Sequence, residues 1–291
     1  MRSKEKLIEV IMMCCSFVTV LTTISIILVL SVDTVKFFSE VSIVDFFTDT
    51  QWTPLFSDKH FGILPLLSGT LLTTTIAILF AVPLGLTIAV YLNEYASPKF
   101  TSIVKPTLET LASIPTVVYG FFALQFVTPL LRNIIPGLSG FNALSPGLVM
   151  GIMIIPYVTS LSEDALRAVP QSLREASYGM GATKYQTALR VMVPAASSGI
   201  IISIILAISR ALGETMIVAI AAGQEPNLTF NPINSVETIT TYIVQVSMGD
   251  VPQNSLEYRT IFAAGMTLFV FTFILNNISF WMRKKFQNKY E

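Results

Sequence analysis

Apolar residues in this chain come in long runs separated by short polar stretches. Six runs approach or exceed the ~20 residues that a helix needs to cross a bilayer: 7–32, 63–92, 107–131, 145–161, 196–222 and 260–282. The third carries Glu109, Pro115 and Pro129; the fourth is short and holds Pro156. Membrane helices tolerate such prolines where neighbouring helices or waters satisfy the freed backbone groups. The pattern predicts an all-α integral membrane protein with six transmembrane helices. The first run is too long for the apolar core of a signal peptide, and no Ala-x-Ala-like site follows it. It reads as a retained helix, so residues 1–62 form an N-terminal helix and extracytoplasmic loop, and 63–291 one membrane domain.

Composition supports that class: 53% of residues are hydrophobic and only 12% charged, against about 25% charged in soluble proteins. The net charge of zero excludes a basic footprint for nucleic acid. How the charge is shared between the loops is more informative. Thirteen basic residues fall on one side: Arg2, Lys4, Lys6, Lys99, Lys105, Arg167, Arg174, Lys184, Arg190, Arg283, Lys284, Lys285 and Lys289. The other side has Lys36, Lys59 and Arg132, with Arg259 at a boundary. The excess of positive charge places both termini in the cytoplasm, and an even number of spans requires them on one side.

The opposite face is acidic, with Asp33, Glu40, Asp45, Asp49 and Asp58, then Glu225, Glu237 and Asp250. Aromatics are interleaved with the first group, among them Phe37, Phe38, Phe46, Phe47, Trp52, Phe56 and Phe61. That pattern fits a helix lying on the outer membrane surface and equally fits packing against the bundle. Trp281, beside Arg283–Lys285, reads as an anchor at the inner interface. Cys14 and Cys15 are adjacent on one helix and cannot form an ordinary disulfide. His60 is the sole histidine, so no metal site, cofactor or catalytic constellation is expected. The chain has no Gly-x4-Gly-Lys-Ser/Thr phosphate loop, so it is not expected to hydrolyse ATP.

The connection 163–194 does not have the composition of a flexible linker. Glu163 and Asp164 precede Arg167, the charge order that a helix dipole favours. Pro170 interrupts, and Ser172-Leu173-Arg174-Glu175 has the form of a capping box. Ala176, Gly179 and Gly181 leave little side chain on the next surface, and a glycine there can take a left-handed turn. Residues 183–193 resume helical periodicity, with Ala188, Val191 and Met192 on one face, before Pro194. Two short helices joined at a glycine are predicted, lying parallel to the membrane.

The fifth run contains Arg210 and Glu214 within an apolar sequence. Each costs roughly 2.5–3.5 kcal/mol at the centre of a membrane helix, and at i, i+4 they share a face and partly neutralise one another. A guanidinium offers a planar fork suited to an oxyanion. Arg210 is therefore expected on a substrate path, with Glu214 holding it in place; an ion pair that only locks packing is the competing reading. Gly69, Gly85, Gly120, Gly147 and Gly151 are expected to let helices approach closely.

Glu175-Ala176-Ser177, Gly181 and Val191-Met192-Val193-Pro194 resemble the EAA loop of ABC-importer permeases. Ser177 and Val193 stand where Ala and Leu are more usual in that pattern. Phe61-Gly62-Ile63-Leu64-Pro65, Val82-Pro83-Leu84-Gly85, Ser113-Ile114-Pro115-Thr116 and Arg210-Ala211-Leu212-Gly213-Glu214-Thr215-Met216 extend the resemblance over nearly the whole chain. Together they resemble the PstC family, permease subunits of bacterial phosphate ABC importers.

The resemblance implies the type I (MetI-like) permease fold with cytoplasmic coupling helices, and transport without enzymatic activity. It implies a PstA-like sister permease, a PstB-like ATPase dimer and a PstS-like extracytoplasmic phosphate-binding protein as partners. It also implies docking of the ATPase through Arg174, Glu175, Ala176, Gly179, Gly181 and Pro194, and passage of phosphate past Arg210 and Glu214. Molybdate or sulfate permeases share the loop. An ion-driven secondary transporter would explain the charged residues but not the loop.

Overall fold

The computed structural model describes residues 2–253 and 255–287, with side chains for residue 6, 8–253 and 255–281. The flanking charges Arg2, Lys4, Arg283, Lys284, Lys285 and Lys289 lie outside the described side chains. All regular elements among the described residues are helical. Four helices are long and apolar enough to cross a membrane, and two bent pairs bring the number to as many as six.

α1 (Arg2–Glu40) is the first span and is followed by a short α2 (Ile43–Thr48) that Ser42 caps. α3 (Leu64–Glu94) and α6 (Leu144–Arg167) pack against one another along their length and form the centre of the bundle. Glycines allow that approach. A Cβ on Gly85 would lie 2.8 Å from Val158 Cβ, and one on Gly147 2.8 Å from Ile76 Cβ. A Cβ on Gly120 would lie 2.7 Å from Ile220 and one on Gly151 3.0 Å from Ala77, so these four glycines let helices approach as expected, while Gly69 lies against the connection at Val236 and Glu237. The core beside them comprises Ala77, Ala81, Met150, Ile154, Ala207 and Ile217.

The third run is not a single straight helix. α4 (Pro98–Ala112) and α5 (Thr116–Arg132) meet at an angle of 85°. Pro115 lacks the N–H that would continue the helix and keeps the preceding residue away from helical geometry, so the chain turns at 113–115. Glu109 therefore lies before the bend, on a helix with no buried residue.

α8 (Lys184–Ala195), which precedes the fifth run, meets α9 (Ser197–Leu212) at 71°. The fifth run itself is broken where α9 ends at Gly213 before a short α10 (Met216–Ala221). A connection then leads to α11 (Ile239–Met248) and the last long helix, α12 (Leu256–Gln287). Two π-turns, Ala123–Val127 and Ala188–Met192, lie immediately before the turns holding Pro129 and Pro194. The wider i→i+5 loop makes room for a ring that an α-turn would clash with.

The aromatic loop packs on the bundle. Phe37, Phe46 and Trp52 are buried with Ile63, Leu66, Tyr242 and Val246, and edge-to-face contacts link Phe46 to Phe37 and to Trp52. Phe47 and Phe56 stay exposed. Glu237, expected on an acidic outer surface, is instead 2% exposed. The Glu237 carbonyl and the Val236 side chain sit against Gly69, and Glu237 Oε1 has no hydrogen-bond partner among the described residues. Burial pushes its carboxyl up to about 8.

Candidate functional site

The loop 163–194 folds as a helical hairpin. α7 (Gln171–Gly179) starts after Pro170, which serves as its N-cap. The expected Ser172/Glu175 capping box does not form: Ser172 lies within the helix, and Glu175 accepts a hydrogen bond from Gln171 at 3.0 Å. The capping box lies at the second helix, where Thr183 and Gln186 reciprocate at 3.3 and 2.9 Å. Gly181 takes φ +82°, the left-handed turn expected between the two helices.

Thr187, Ala188 and Met192 are buried and fasten α8 to the bundle, while Val191 is half-buried. α7 has no buried residue at all. Glu175, Ala176, Gly179, Gly181 and Pro194 are exposed, and no side chain crowds Gly179 or Gly181. Arg174 differs from its neighbours. It turns back toward the bundle and donates to Glu94 at 2.7 Å.

Arg210 and Glu214 are not an ion pair. Gly213 ends α9 between them, so the helical i, i+4 relation does not hold. Glu214 is 6% exposed; its carboxylate accepts the Ile217 N–H at 3.3 Å, and its carbonyl accepts the Thr240 hydroxyl at 2.8 Å. It satisfies the start of α10 and holds α11 to the break. Arg210 is exposed, with its guanidinium carbon 5.9 Å from the centre of the Tyr157 ring. That is cation–π distance, and among the described residues no carboxylate lies within ion-pair range. A cleft of about 350 Å³ beside Tyr157 is lined by Glu109, Ala112, Pro156, Ser160 and Leu161.

Sequence reasoning missed Tyr157, because an aromatic in an apolar run carries no signal of its own. It also missed a cluster near α7 in which Glu163, with a fully buried side chain, pairs with both Lys105 and Arg167. Asp164 adds a contact to Lys105 at 3.3 Å. No group of three or more metal-ligating side chains occurs among the described residues.

Residues 81–289 match the family described as "Binding-protein-dependent transport system inner membrane component". The chain belongs to this family. It is a multi-pass inner-membrane transport component and not an enzyme. It is 35% identical to the probable ABC transporter permease protein YqgH of Bacillus subtilis, over 76% of this chain and 71% of that one. It is 33% identical to the phosphate transport system permease protein PstC of Mesorhizobium japonicum, over 77% and 74%. The PstC of Haemophilus influenzae is 32% identical over 79% and 78%.

Among solved structures, a bacterial alginate ABC transporter chain superimposes with TM-score 0.62 at 17% identity, covering 92% of this chain and 93% of that one. A chain of the MetNI methionine ABC transporter gives 0.57 at 18% identity, covering 77% and 97%. These two establish the permease fold.

Proposed function

We propose that this chain is one permease subunit of an ATP-driven phosphate importer, lining half of the path and coupled to a separate ATPase through 163–194. Relatives named as phosphate transport permeases support the phosphate reading. The observation that carries it is Arg210, an exposed guanidinium on a membrane helix that faces an aromatic ring and has no carboxylate partner among the described residues. A cation left without a fixed counter-charge retains its fork for a passing oxyanion. Glu214 keeps the helix break in shape beside it.

An ATPase and a substrate-binding protein go with the family. A PstA-like sister permease, a PstB-like ATPase dimer and a PstS-like phosphate-binding protein are the specific partners proposed. ATPase docking falls to the exposed Glu175, Ala176, Gly179, Gly181 and Pro194, with Arg174 acting from within. Both termini face the cytoplasm in this reading, because the basic loops lie on their side. Residues 1–62 are an addition to a permease domain at 63–291 in this reading.

Reconstitution in vesicles with the sister permease, the ATPase and the binding protein tests the reading. ATP-dependent uptake of phosphate in preference to sulfate and molybdate is expected. Preference for either other anion would overturn the substrate, and failure to co-purify with any ATPase would overturn the coupling.

A further inference from the structure

α7 buries none of its own residues, yet the proposed docking surface lies on it. It packs against α8, including the π-turn Ala188–Met192, and the Ser177 and Thr187 hydroxyls meet at 2.9 Å. Among the described residues its one hydrogen bond to α3 is from Arg174 Nη2 to Glu94 Oε1, at 2.7 Å across 80 residues of chain. Glu94 is the last residue of α3, and its side chain is only 2% exposed. The same oxygen accepts from Asn93 Nδ2 at 2.8 Å, which fixes the carboxylate before Arg174 reaches it. A cleft of about 660 Å³ separates the two helices from α4 and brings Arg174 near Lys105 and Arg167.

A carboxylate this buried cannot exchange its partner for water, so the Arg174–Glu94 contact behaves as a joint and not as a surface ion pair. α3 in turn packs along the whole of α6. The C-terminal part of α6 carries Glu163, whose pairing with Lys105 extends the connection to α4.

We propose that Glu94 is a positioning residue for coupling: through Arg174 it transmits displacement of α7 to α3, and thereby to the helices lining the path. The proposal rests on α7 being the ATPase-docking helix. Glu94 lies beneath that helix, so its replacement leaves the docking surface itself unchanged.

Glu94→Asp, Glu94→Gln and Glu94→Leu in the full reconstituted complex give the test. ATPase co-purification and ATP hydrolysis should stay within about twofold of the unaltered complex. Phosphate uptake should fall in the order Asp, Gln, Leu, about tenfold for Leu, because Asp keeps the charge and Gln only an acceptor oxygen. Unaltered uptake in Glu94→Leu overturns the proposal. So does an equal fall of uptake and hydrolysis in all three variants, or failure of all three to assemble, since each marks a purely structural role. Coupling is scored as anion moved per ATP, so an unaltered complex that imports sulfate would refute the phosphate reading and leave the joint still measurable.

Discussion

Arg174 and Arg210 are the same side chain put to opposite uses. Arg174 meets a carboxylate that water cannot reach, at 2.7 Å, and its position is set by that partner. Arg210 lies exposed over the Tyr157 ring with no carboxylate in range. The difference teaches that a charge with a permanent partner holds elements together, whereas a charge facing only a ring remains able to take a mobile anion. Glu237 is a third case, an acid that is buried and unpartnered. Burial without a pairing cation raises its carboxyl and so favours the neutral form.

The largest effect that could break this contrast is at Arg210. Arg210→Gln should lower phosphate uptake on the order of 100-fold at normal amounts of assembled complex, the scale of a lost charge-assisted contact. Uptake at the normal rate would make Arg210 as structural as Arg174. Arg210→Lys should recover only part of the loss, because an ammonium lacks the planar fork.

Glu237 should respond to pH in stability. A carboxyl raised from 4.5 to about 8 on folding binds a proton that the unfolded chain releases. Stability therefore falls as pH rises from the unfolded value through about 8. Glu237→Gln should remove that slope and raise the thermal midpoint in detergent at pH 8 by roughly 5 °C. An unchanged slope would show that the carboxyl is ionised in place.

The centre of the paired cluster should matter less than its burial implies. Glu163→Gln leaves Lys105 and Arg167 without their shared carboxylate, but those side chains are 25% and 63% exposed and can turn to water. A loss of about 1–2 kcal/mol is expected, below the ~3–5 of a fully buried pair. Chemical denaturation in detergent reads it, and a loss beyond that range would show the cations to be trapped.

The ring under Arg210 should have the smallest effect. Tyr157→Ala removes a contact worth about 0.5–1 kcal/mol at an exposed site, so uptake should fall about two- to fivefold. Tyr157→Phe should match the unaltered protein. Equal losses in both would assign the effect to the hydroxyl and not to the ring face.

Much of the fold and part of the site were legible in the sequence, because membrane crossing and loop chemistry are local properties. Hydrophobic run length marked the four helices long and apolar enough to cross, and the Glu175–Gly181–Pro194 spacing marked a hairpin whose turn does sit at Gly181. Local pattern failed where a neighbouring proline or glycine moved the helix end that it assumed. The proposed Ser172/Glu175 cap lost to Pro170, whose ring already starts α7. The Arg210/Glu214 pair assumed an unbroken helix, and Gly213 ends that helix between them.

The sequence by itself determined the solvent of this protein, the long apolar runs, the uneven distribution of basic residues and the exposed hairpin, since each follows from residue type and spacing along one stretch of chain. Only the tertiary structure decided which charges are satisfied. Glu94 finds Arg174 across 80 residues, Glu214 turns to the backbone of α10 and to Thr240, and Arg210 is left with Tyr157. The physical reason is that the cost of a charge away from water depends on what lies within a few ångströms of it, and packing, not sequence order, sets those neighbours.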